Sequence, residues 1–365
     1  MWERVNENND ETTQTVLHRP RLLAGTAAGE GMKKVDIAQV AKQARVSTTT
    51  VSRVLNEVAT VSEDNRRRVL DAIRQLKYHP NPNAQHLASG KTDTAGIIIP
   101  RFEGVFHSYY ALQVIKGIGI AAERNRYNLL LHVSNGTSLV NLASVAGLLF
   151  VDITGCEELL DRALDEQVPI VVLNHYIEEL PVSCVAVDNR LAAQHVVDYL
   201  TRLGHKDIAI ITGDLKTQSG LDRLDGFLKA LKSHQLPVHD DYIRHGDYGL
   251  PSARAAAEAL LSLPNRPTAI FACSDEMAVE AINIALAKGV RVPEELSVVG
   301  FDDNPIAEHG RVPLTTVRQP LSDMGRQGLE LLIQQAKGKR SSPTKLLMPT
   351  ELVERQSCRQ TWLER

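Results

Sequence analysis

The feature that most constrains this chain is a pair of short helical segments between residues 37 and 56. In residues 37–44, IAQVAKQA, apolar side chains recur at helical spacing, and Ala41 is small enough for a second helix to approach closely. A tight turn then leads to Ser47, whose hydroxyl can cap a second helix over residues 48–56. This pattern predicts a helix-turn-helix.

The second helix of the pair has one apolar face and one polar face. The side chains expected to pack inward are Val51, Val54 and Leu55. Those expected to point outward are Thr48, Thr49 and Arg53. Short polar or Arg side chains at the N-terminal end of a helix can reach base edges in the major groove of DNA. The second helix is therefore predicted to be a recognition helix.

A third helix and a hinge segment follow. Ser62 can cap the third helix, which completes a small core with Val69, Ala72, Ile73 and Leu76. In residues 78–91, Asn81 is a cap, Pro82 occupies the first helical position and Gly90 ends the segment. A helix of about two turns is marginal in water. We expect it to form fully only when DNA holds it.

These residues resemble one family. Residues 46–56, VSTTTVSRVLN, and the run 78–81, YHPN, with Ala84 and Leu87, are similar to the lactose-repressor-like LacI/GalR family of bacterial regulators. Further motifs that match lie at residues 187–190, 203–206, 271–277, 297–303 and 313–320. The resemblance covers about residues 34–357.

The resemblance implies that different residues of the head contact different parts of the DNA. Thr48, Thr49 and Arg53 would read the major groove, and the phosphates would be held by Ser47, Thr50 and Asn56. The hinge residues implied to contact DNA are Asn81, Ala84 and Leu87. Leu87 of each subunit would insert into the minor groove and bend the duplex.

The charge distribution agrees with DNA binding by the head alone. Residues 32–91 carry eleven Lys or Arg against five Asp or Glu, although the whole chain has a formal charge of −3. A basic head on an acidic body suits a protein whose N-terminal part touches phosphates. No apolar run approaches the roughly 18 residues that a membrane span needs, so no membrane partner is expected.

The body alternates short apolar segments with amphipathic stretches, which is typical of parallel sheets covered by helices. The segments are residues 97–99, 129–131, 147–151, 170–173, 208–211, 270–272 and 296–299. This predicts an α/β body, and the resemblance implies two lobes like those of periplasmic sugar-binding proteins. The expected fold is thus an all-α helix-turn-helix head with a hinge helix, followed by a two-lobed, periplasmic-binding-protein-like body.

Ligands of such sheets bind outside the carboxyl ends of the strands. The resemblance places Arg223 and Asp275 at positions that contact the effector, where a guanidinium and a carboxylate could clamp adjacent hydroxyls. Tyr248 resembles the family's aromatic platform. Further candidates for the effector site are Phe106, Tyr109, Asn174 and Gln319.

Nothing in the sequence indicates an enzyme. The run 117–122, GIGIAA, fits a dinucleotide-binding pattern, but it lies inside a predicted helix from Ser108 to Glu123 and well after the preceding strand, so it is interpreted as close helix packing. The four cysteines, Cys156, Cys184, Cys273 and Cys358, lack ligand spacing. No metal, cofactor or disulfide is expected.

The expected domain boundaries follow from these patterns. Residues 1–31 form a disordered extension, and we hypothesise that translation starts at Met32. The head is predicted at residues 32–80 and the hinge helix at 81–91. The effector-binding and dimerisation domain covers residues 92–357, with lobes at 95–188 and 189–317, a crossing back after 318, and a tail at 358–365. Residues 133–146 are shorter than relatives usually show, which predicts a stunted helix there.

The sequence as a whole predicts a cytoplasmic bacterial repressor of a carbohydrate-utilisation operon. Its expected partners are a pseudo-palindromic, double-stranded operator, a sugar effector and a second copy of the chain in a homodimer. A purine, a nucleoside or a protein partner is the alternative to the sugar. A sugar-transport receptor would share the body fold but would have no use for a basic head.

Overall fold

The computed structural model describes residues 35–55, 60–78, 92–100, 108–134, 140–339 and 342–361. The chain divides between residues 89 and 90 into two compact units. The expectations about the extension 1–31, a start at Met32 and the hinge helix 81–91 fall outside the described residues. No helix in the described ranges is long and apolar enough to cross a membrane.

The head contains the three predicted helices. They are α1 (Ile37–Ala44), α2 (Thr48–Leu55) and α3 (Glu63–Leu76). Asp36 and Gln39 form a reciprocal capping box that starts α1, and the Ser62 side chain caps α3. Small and β-branched residues from all three helices form one buried core: Val40, Ala41, Ala44, Val51, Val54, Val69 and Ala72. The helical spacing of these residues explains why each helix buries one face.

The body begins with a lobe of alternating strands and helices, the N-lobe. Its first elements are β1 (Thr94–Pro100), α4 (Tyr109–Asn125), β2 (Asn128–Ser134), β3 (Gly147–Phe150), α5 (Glu157–Asp165), β4 (Ile170–Leu173) and β5 (Ser183–Val187). The residues of β3, β4 and β5 are all buried, as expected for strands covered on both faces. Between β2 and β3 the described residues form only a short 3-10 helix at Leu142–Ser144.

The second lobe, the C-lobe, repeats this alternation. Its elements are α6 (Asn189–Arg202), β6 (Ile208–Ile211), α7 (Gln218–Ser233), β7 (Ile243–Arg244), α8 (Leu250–Leu261), β8 (Ala269–Ala272), α9 (Asp275–Ala287), β9 (Ser297–Asp302), α10 (Ile306–His309) and β10 (Thr315–Arg318). Three more elements follow: α11 (Leu321–Ala336), β11 (Lys345–Met348) and β12 (Glu351–Val353).

Each lobe contains one six-stranded sheet. The N-lobe order is β11-β5-β4-β3-β1-β2, and all of its pairs are parallel. The C-lobe order is β12-β10-β9-β8-β6-β7, where only β12 is antiparallel. Because β11 and β12 lie in different sheets, the chain passes between the lobes three times. The carboxyl ends of the parallel strands of both sheets therefore border the cleft between the lobes.

The last strands of the chain lie in different sheets. After residue 318 the chain enters the N-lobe, where β11 joins the sheet, and β12 then returns it to the C-lobe sheet. Residues 358–361 are not a free tail, since the amide of Arg359 donates to Ser297 Oγ (3.1 Å) and that of Thr361 to the Leu203 carbonyl (2.9 Å). Strand β12 is only three residues long, so it has no apolar periodicity from which the sequence could predict it.

The glycine-rich run of α4 has a packing role. A Cβ built on Gly117 would lie 1.8 Å from the carbonyl oxygen of Ser322, and one on Gly325 would lie 2.2 Å from that of Val114. The two glycines thus let α4 and α11 approach closely. Since Gly117 lies in the middle of a helix, it forms no phosphate-binding turn.

Candidate functional site

The outer face of α2 presents the residues predicted to read DNA. Thr48, Thr49 and Arg53 are exposed, whereas Val51 and Val54 on the opposite face are buried. The Thr50 amide donates to Ser47 Oγ at 3.1 Å, and the two hydroxyls are 2.9 Å apart. The buried face fixes the helix, so the exposed face can insert into a groove without losing the core.

The candidate site residues fall into two groups. Five lie outside the described residues: Asn56, Asn81, Ala84, Leu87 and Phe106. The other six effector candidates border the cleft between the lobes: Tyr109, Asn174, Arg223, Tyr248, Asp275 and Gln319. Strand ends and helix starts of both lobes supply them, which is where ligands of open α/β sheets bind.

Arg223, on α7, is the best-anchored side chain of the cleft. It is 4% exposed. Its Nε donates to Asn189 Oδ1 at 2.8 Å and its Nη1 to the Cys273 carbonyl at 2.6 Å. The guanidinium carbon lies 3.6 Å from the centre of the Phe301 ring, a cation-π contact. The rotamer is therefore fixed, and Nη2 has no hydrogen-bond partner among the described residues.

Asp302, which the sequence prediction missed, is the acidic counterpart of Arg223. It is the last residue of β9 and has a φ of 124°, a backbone conformation that residues other than Gly rarely adopt. Its Oδ1 accepts from Gln319 Nε2 at 2.6 Å. Burial raises the pKa of Asp302 to about 8 against the opposing charge of Arg223, and the nearby carboxylate of Asp275 raises it further. Its position at the end of an apolar strand was the available signal, and that signal does not show which group Asp302 faces.

Asp275, predicted to clamp the effector together with Arg223, begins α9 and is held firmly within the C-lobe. Its side chain is 1% exposed. One oxygen accepts from the Asn304 amide at 2.7 Å and the other from the Thr316 hydroxyl. Burial raises the pKa of Asp275 to about 6, opposed by these two hydrogen bonds. The bond to Asn304 holds the loop that follows Asp302 at the end of β9, and the bond to Thr316 ties Asp275 to β10.

Tyr248 packs against the backbone of the C-lobe. A Cβ on Gly213 would lie 2.1 Å from the Tyr248 ring, so the glycine is what allows the ring to lie there. The Tyr248 hydroxyl is 3.3 Å from Ser219 Oγ. Its backbone has a φ of 68°. Burial raises the pKa of Tyr248, with Arg223 close enough to oppose the rise.

The N-lobe side of the cleft is formed by Asn174 and Asp152, at the ends of β4 and β3. Asn174 is 7% exposed and has a φ of 57°. Its Nδ2 donates weakly to Asp152 Oδ2 at 3.5 Å, and its buried Oδ1 has no partner. Asp152, also missed by the sequence prediction, accepts from the amide and hydroxyl of Thr154 at 2.8 and 2.7 Å. A buried carbonyl oxygen without a donor is unfavourable unless a ligand supplies one.

Tyr110 connects the two sides electrostatically. Its hydroxyl donates to the Val151 carbonyl at 2.8 Å. Burial raises the pKa of Tyr110 well above its usual value, and the charges of Asp152, Arg223 and Asp302 all act on it.

Two further contacts join the lobes at the edge of the cleft. The Tyr109 hydroxyl donates to the Asp303 carbonyl at 3.3 Å. Gln218, at the start of α7, accepts from the Tyr176 amide at 2.6 Å and donates to the Tyr176 carbonyl at 3.0 Å. The paired bonds of Gln218 act as an interlobe clasp, which the sequence prediction did not include.

Comparison with known proteins decides the family. Residues 36–81 match the model of bacterial regulatory proteins of the lacI family, and residues 197–358 match a periplasmic binding protein-like domain. The chain is 35% identical to the "Probable HTH-type transcriptional repressor ExuR" of Bacillus subtilis (strain 168), over 89% of this chain and 98% of that protein. The chain belongs to the LacI family.

Solved structures agree with this assignment. The transcriptional regulator CelR in complex with cellobiose is 30% identical with a TM-score of 0.68, over 88% of this chain and 99% of that one. The lac repressor dimer bound to operator and the anti-inducer ONPF is 26% identical with a TM-score of 0.77, over 89% and 99%. The predicted family and fold are therefore confirmed.

Membership of the LacI family makes this protein a DNA-binding transcriptional regulator and not an enzyme. In the described part of the chain, no group of three or more His, Cys, Asp or Glu is arranged to hold a metal ion.

Proposed function

We propose that this LacI-family regulator represses a carbohydrate-utilisation operon in the bacterial cytoplasm and that a sugar bound in the interlobe cleft switches its affinity for the operator. The proposal rests on two features of the same chain. The recognition face of α2 is exposed, and the side-chain oxygens of Asn174 and Gln319 in the cleft are buried without a hydrogen-bond partner. A regulator that binds DNA through its head needs a signal that changes its DNA affinity, and a ligand bound in such a cleft can supply that signal.

On DNA, Thr48, Thr49 and Arg53 are proposed to contact base edges from the exposed face of α2. Ser47 and Thr50, at the start of the same helix, are proposed to hold a phosphate. Asn56 and the hinge residues Asn81, Ala84 and Leu87 remain the predicted further contacts, with Leu87 as a minor-groove wedge.

We propose a homodimer as the DNA-binding form. Strand β2 is an edge of the N-lobe sheet, and its Leu129, Leu130 and Leu131 are 39%, 42% and 46% exposed. Three consecutive exposed leucines on a sheet edge are unusual for an uncovered surface. A second copy that covers them would also supply the second head that a palindromic operator requires. The operator-bound lac repressor dimer supports this arrangement.

The effector is proposed to bind between Arg223 and Asp302 of the C-lobe and Asn174 of the N-lobe. A ligand that contacts both lobes favours one interlobe arrangement and shifts the equilibrium only through contacts that differ between the two states. Support for a sugar comes from the hydrogen-bonding character of these groups and from the cellobiose complex of the related CelR. The Gln218 clasp would stabilise the closed arrangement.

A binding experiment tests the proposal. Operator fragments selected from random DNA by the full chain should be inverted repeats, and a sugar that raises the melting temperature should also change operator affinity. A Leu130→Glu variant should sediment as a monomer and lose most operator affinity, whereas the exposed Leu112→Glu on α4 serves as a matched control. Asymmetric selected sites, or a Leu130→Glu protein that stays dimeric, would contradict the proposed dimer.

A further inference from the structure

Two of the three passages between the lobes are bonded to each other where they meet the C-lobe. Arg318 is the last residue of β10, directly before the passage to α11. Glu351 is the first residue of β12, directly after the passage from β11. The two residues are partners in the sheet register, and Arg318 Nη1 donates to Glu351 Oε2 at 2.8 Å. The C-lobe ends of both passages are thus held side by side.

Asp303, in the loop after β9, joins this pair to the rest of the C-lobe. Its Oδ2 accepts from Arg318 Nε at 2.7 Å, and its Oδ1 accepts from Arg355 Nη2 at 2.6 Å. Arg355 follows β12, and its Nη1 donates to the Leu314 carbonyl at 2.9 Å. The side chains of Asp303 and Arg355 are largely buried, whereas that of Arg318 is half exposed. We call Glu351, Arg318, Asp303 and Arg355 the hinge network.

The two guanidinium groups keep Asp303 ionised. Burial raises the pKa of its carboxyl, but the hydrogen bonds and charges of Arg355 and Arg318 outweigh burial, so the pKa lies below its ordinary value. A largely buried carboxylate with two charged partners is costly to neutralise, because both guanidinium groups would then lose an acceptor. The charge of Asp303 is therefore what holds the hinge network together.

The backbone at Asp303 has a conformation that needs support. Asp302 has a φ of 124° and Asp303 a φ of 55°, so two consecutive residues other than Gly have positive φ. Such strain persists only where the surrounding structure determines the conformation. The ion pairs of the Asp303 side chain provide this support on one side. On the other side, the amide of the next residue, Asn304, is bonded to Asp275.

The same residue contacts the N-lobe. The hydroxyl of Tyr109, at the start of α4, donates to the Asp303 carbonyl at 3.3 Å. Because the side chain of Asp303 fixes its backbone, its carbonyl is presented to Tyr109 in a fixed direction. Asp303 thus combines an ion pair at the C-lobe ends of the two passages with a hydrogen bond to the opposite lobe.

We propose that Asp303 is a positioning residue for the angle between the lobes, and that its ion pairs with Arg318 and Arg355 keep the ligand-free lobes in their closed arrangement. Without the charge of Asp303, Arg318 loses one of its two partners, and both passages become freer where they meet the C-lobe. The contact with Tyr109 is then no longer held. Any consequence for operator binding rests on the proposed function, whereas the effect on the lobes does not.

The chain contains a reporter of lobe closure that is distant from Asp303 in the sequence. The Tyr176 amide, in the N-lobe, donates to Gln218 Oε1 of the C-lobe at 2.6 Å. Its hydrogen exchange therefore becomes faster when the lobes separate, and not when the loop after β9 loosens by itself. The amides of β9, which pairs with β8 and β10, report whether the C-lobe sheet is intact.

Hydrogen exchange of the full chain, with no ligand added, tests the proposal. Asp303→Asn removes the charge and keeps the size of the side chain, and Asn tolerates a φ of 55°. In this variant the Tyr176 amide should exchange about threefold to tenfold faster, with the β9 amides within about twofold of wild type. Glu295→Gln is the matched control, because Glu295 also pairs with an Arg, Arg291, at 2.9 Å but precedes β9.

A second variant shows whether the effect passes through the hinge network. Arg318→Met keeps an apolar stem and removes both ion pairs of Arg318, so it should also make the Tyr176 amide exchange faster. Residues of one network have non-additive effects, so the double variant should exceed the larger single effect by no more than about twofold. Single effects that multiply in the double variant would show that the two residues act independently and would overturn the network.

The remaining outcomes separate the proposal from the proposed function. Unchanged exchange at Tyr176 in both variants would overturn the proposal. Equally faster exchange in β9 would also overturn it, because Asp303 would then only stabilise the C-lobe. Faster exchange at Tyr176 with unchanged operator affinity would support the positioning role and contradict the proposed function, in which the interlobe arrangement sets operator affinity. A change in operator affinity of about threefold or more in the same variants would support both.

Discussion

The two sides of the cleft differ in how complete they are before a ligand arrives. On the C-lobe side, Arg223 has two hydrogen bonds and a ring contact, and Asp275 has both oxygens bonded. On the N-lobe side, Asn174 has a single 3.5 Å bond, and its carbonyl oxygen is buried without a donor. Apart from the unpartnered oxygen of Gln319, the C-lobe side is preorganised, whereas the N-lobe side is left for the ligand to complete.

This difference indicates how affinity and response are divided. A fixed guanidinium binds a ligand without an ordering cost, so the C-lobe side should supply most of the affinity. The N-lobe side gains hydrogen bonds only when the ligand is present. It should therefore supply the difference in ligand affinity between the two interlobe arrangements, on which switching depends. Four substitutions test this division, from the largest expected effect to the smallest.

Arg223→Ala should weaken binding of the best neutral sugar by about 100-fold or more, because a buried charged donor costs on the order of 2 to 5 kcal/mol to remove. It should also lower the melting temperature, since Asn189 and the Cys273 carbonyl lose their partner. Calorimetry and thermal melting measure the two effects. Arg202→Ala, exposed at the end of α6, is the control. Unchanged affinity would show that the C-lobe side is not the anchor.

Asp302 should make the stability of the ligand-free protein depend on pH. Its pKa of about 8 in the folded state lies far above the ordinary 3.8, so the protonated side chain stabilises the fold at low pH and this contribution is lost as pH rises towards 8. Relative to Asp302→Asn, the wild type should lose about 3 to 4 kcal/mol of unfolding free energy between pH 5 and pH 8. Urea unfolding at both pH values measures this. Parallel pH profiles would show that Asp302 is not held protonated.

Asn174→Gly should separate the two sides most clearly. Its φ of 57° suits Gly, and the substitution removes an unpartnered buried oxygen, so stability should stay within about 0.5 kcal/mol of wild type. Sugar affinity should fall about fivefold to tenfold with one hydrogen bond lost. Chemical denaturation and calorimetry test both statements. A large loss of stability would mean that the N-lobe side is as preorganised as the C-lobe side.

Gln218→Ala should have the smallest effect. It removes both bonds to the Tyr176 backbone and loosens the closed arrangement without touching the ligand groups. We expect the sugar to dissociate about twofold to threefold faster, with little change in the association rate. Stopped-flow kinetics measures both rates. The control is Gln235→Ala, at an exposed Gln beyond the end of α7. A slower association with unchanged dissociation would argue against a clasp.

The sequence predicted the head well because its information is local. Capping residues and helical spacing fix α1, α2 and α3 within a few residues of each boundary. The cleft is non-local. Asp302 and Asp152 were missed although each follows an apolar strand, because the sequence places a residue at a strand end without showing which neighbour it will face. The bonds that hold Asp275 come from Asn304 and Thr316, which are distant in sequence, so the sequence could not show them.

Hydrogen exchange of backbone amides tests most directly the claim that the C-lobe side is preorganised and the N-lobe side is not. It is measured with and without the neutral sugar that gives the largest thermal shift. On the C-lobe side, residues 211–214 and 272–276 should exchange slowly already and change less than about twofold on binding. On the N-lobe side, residues 152–155 and 174–177 should slow by about tenfold or more as the ligand completes that side. Equal slowing on both sides, or slowing confined to the C-lobe, would contradict the account.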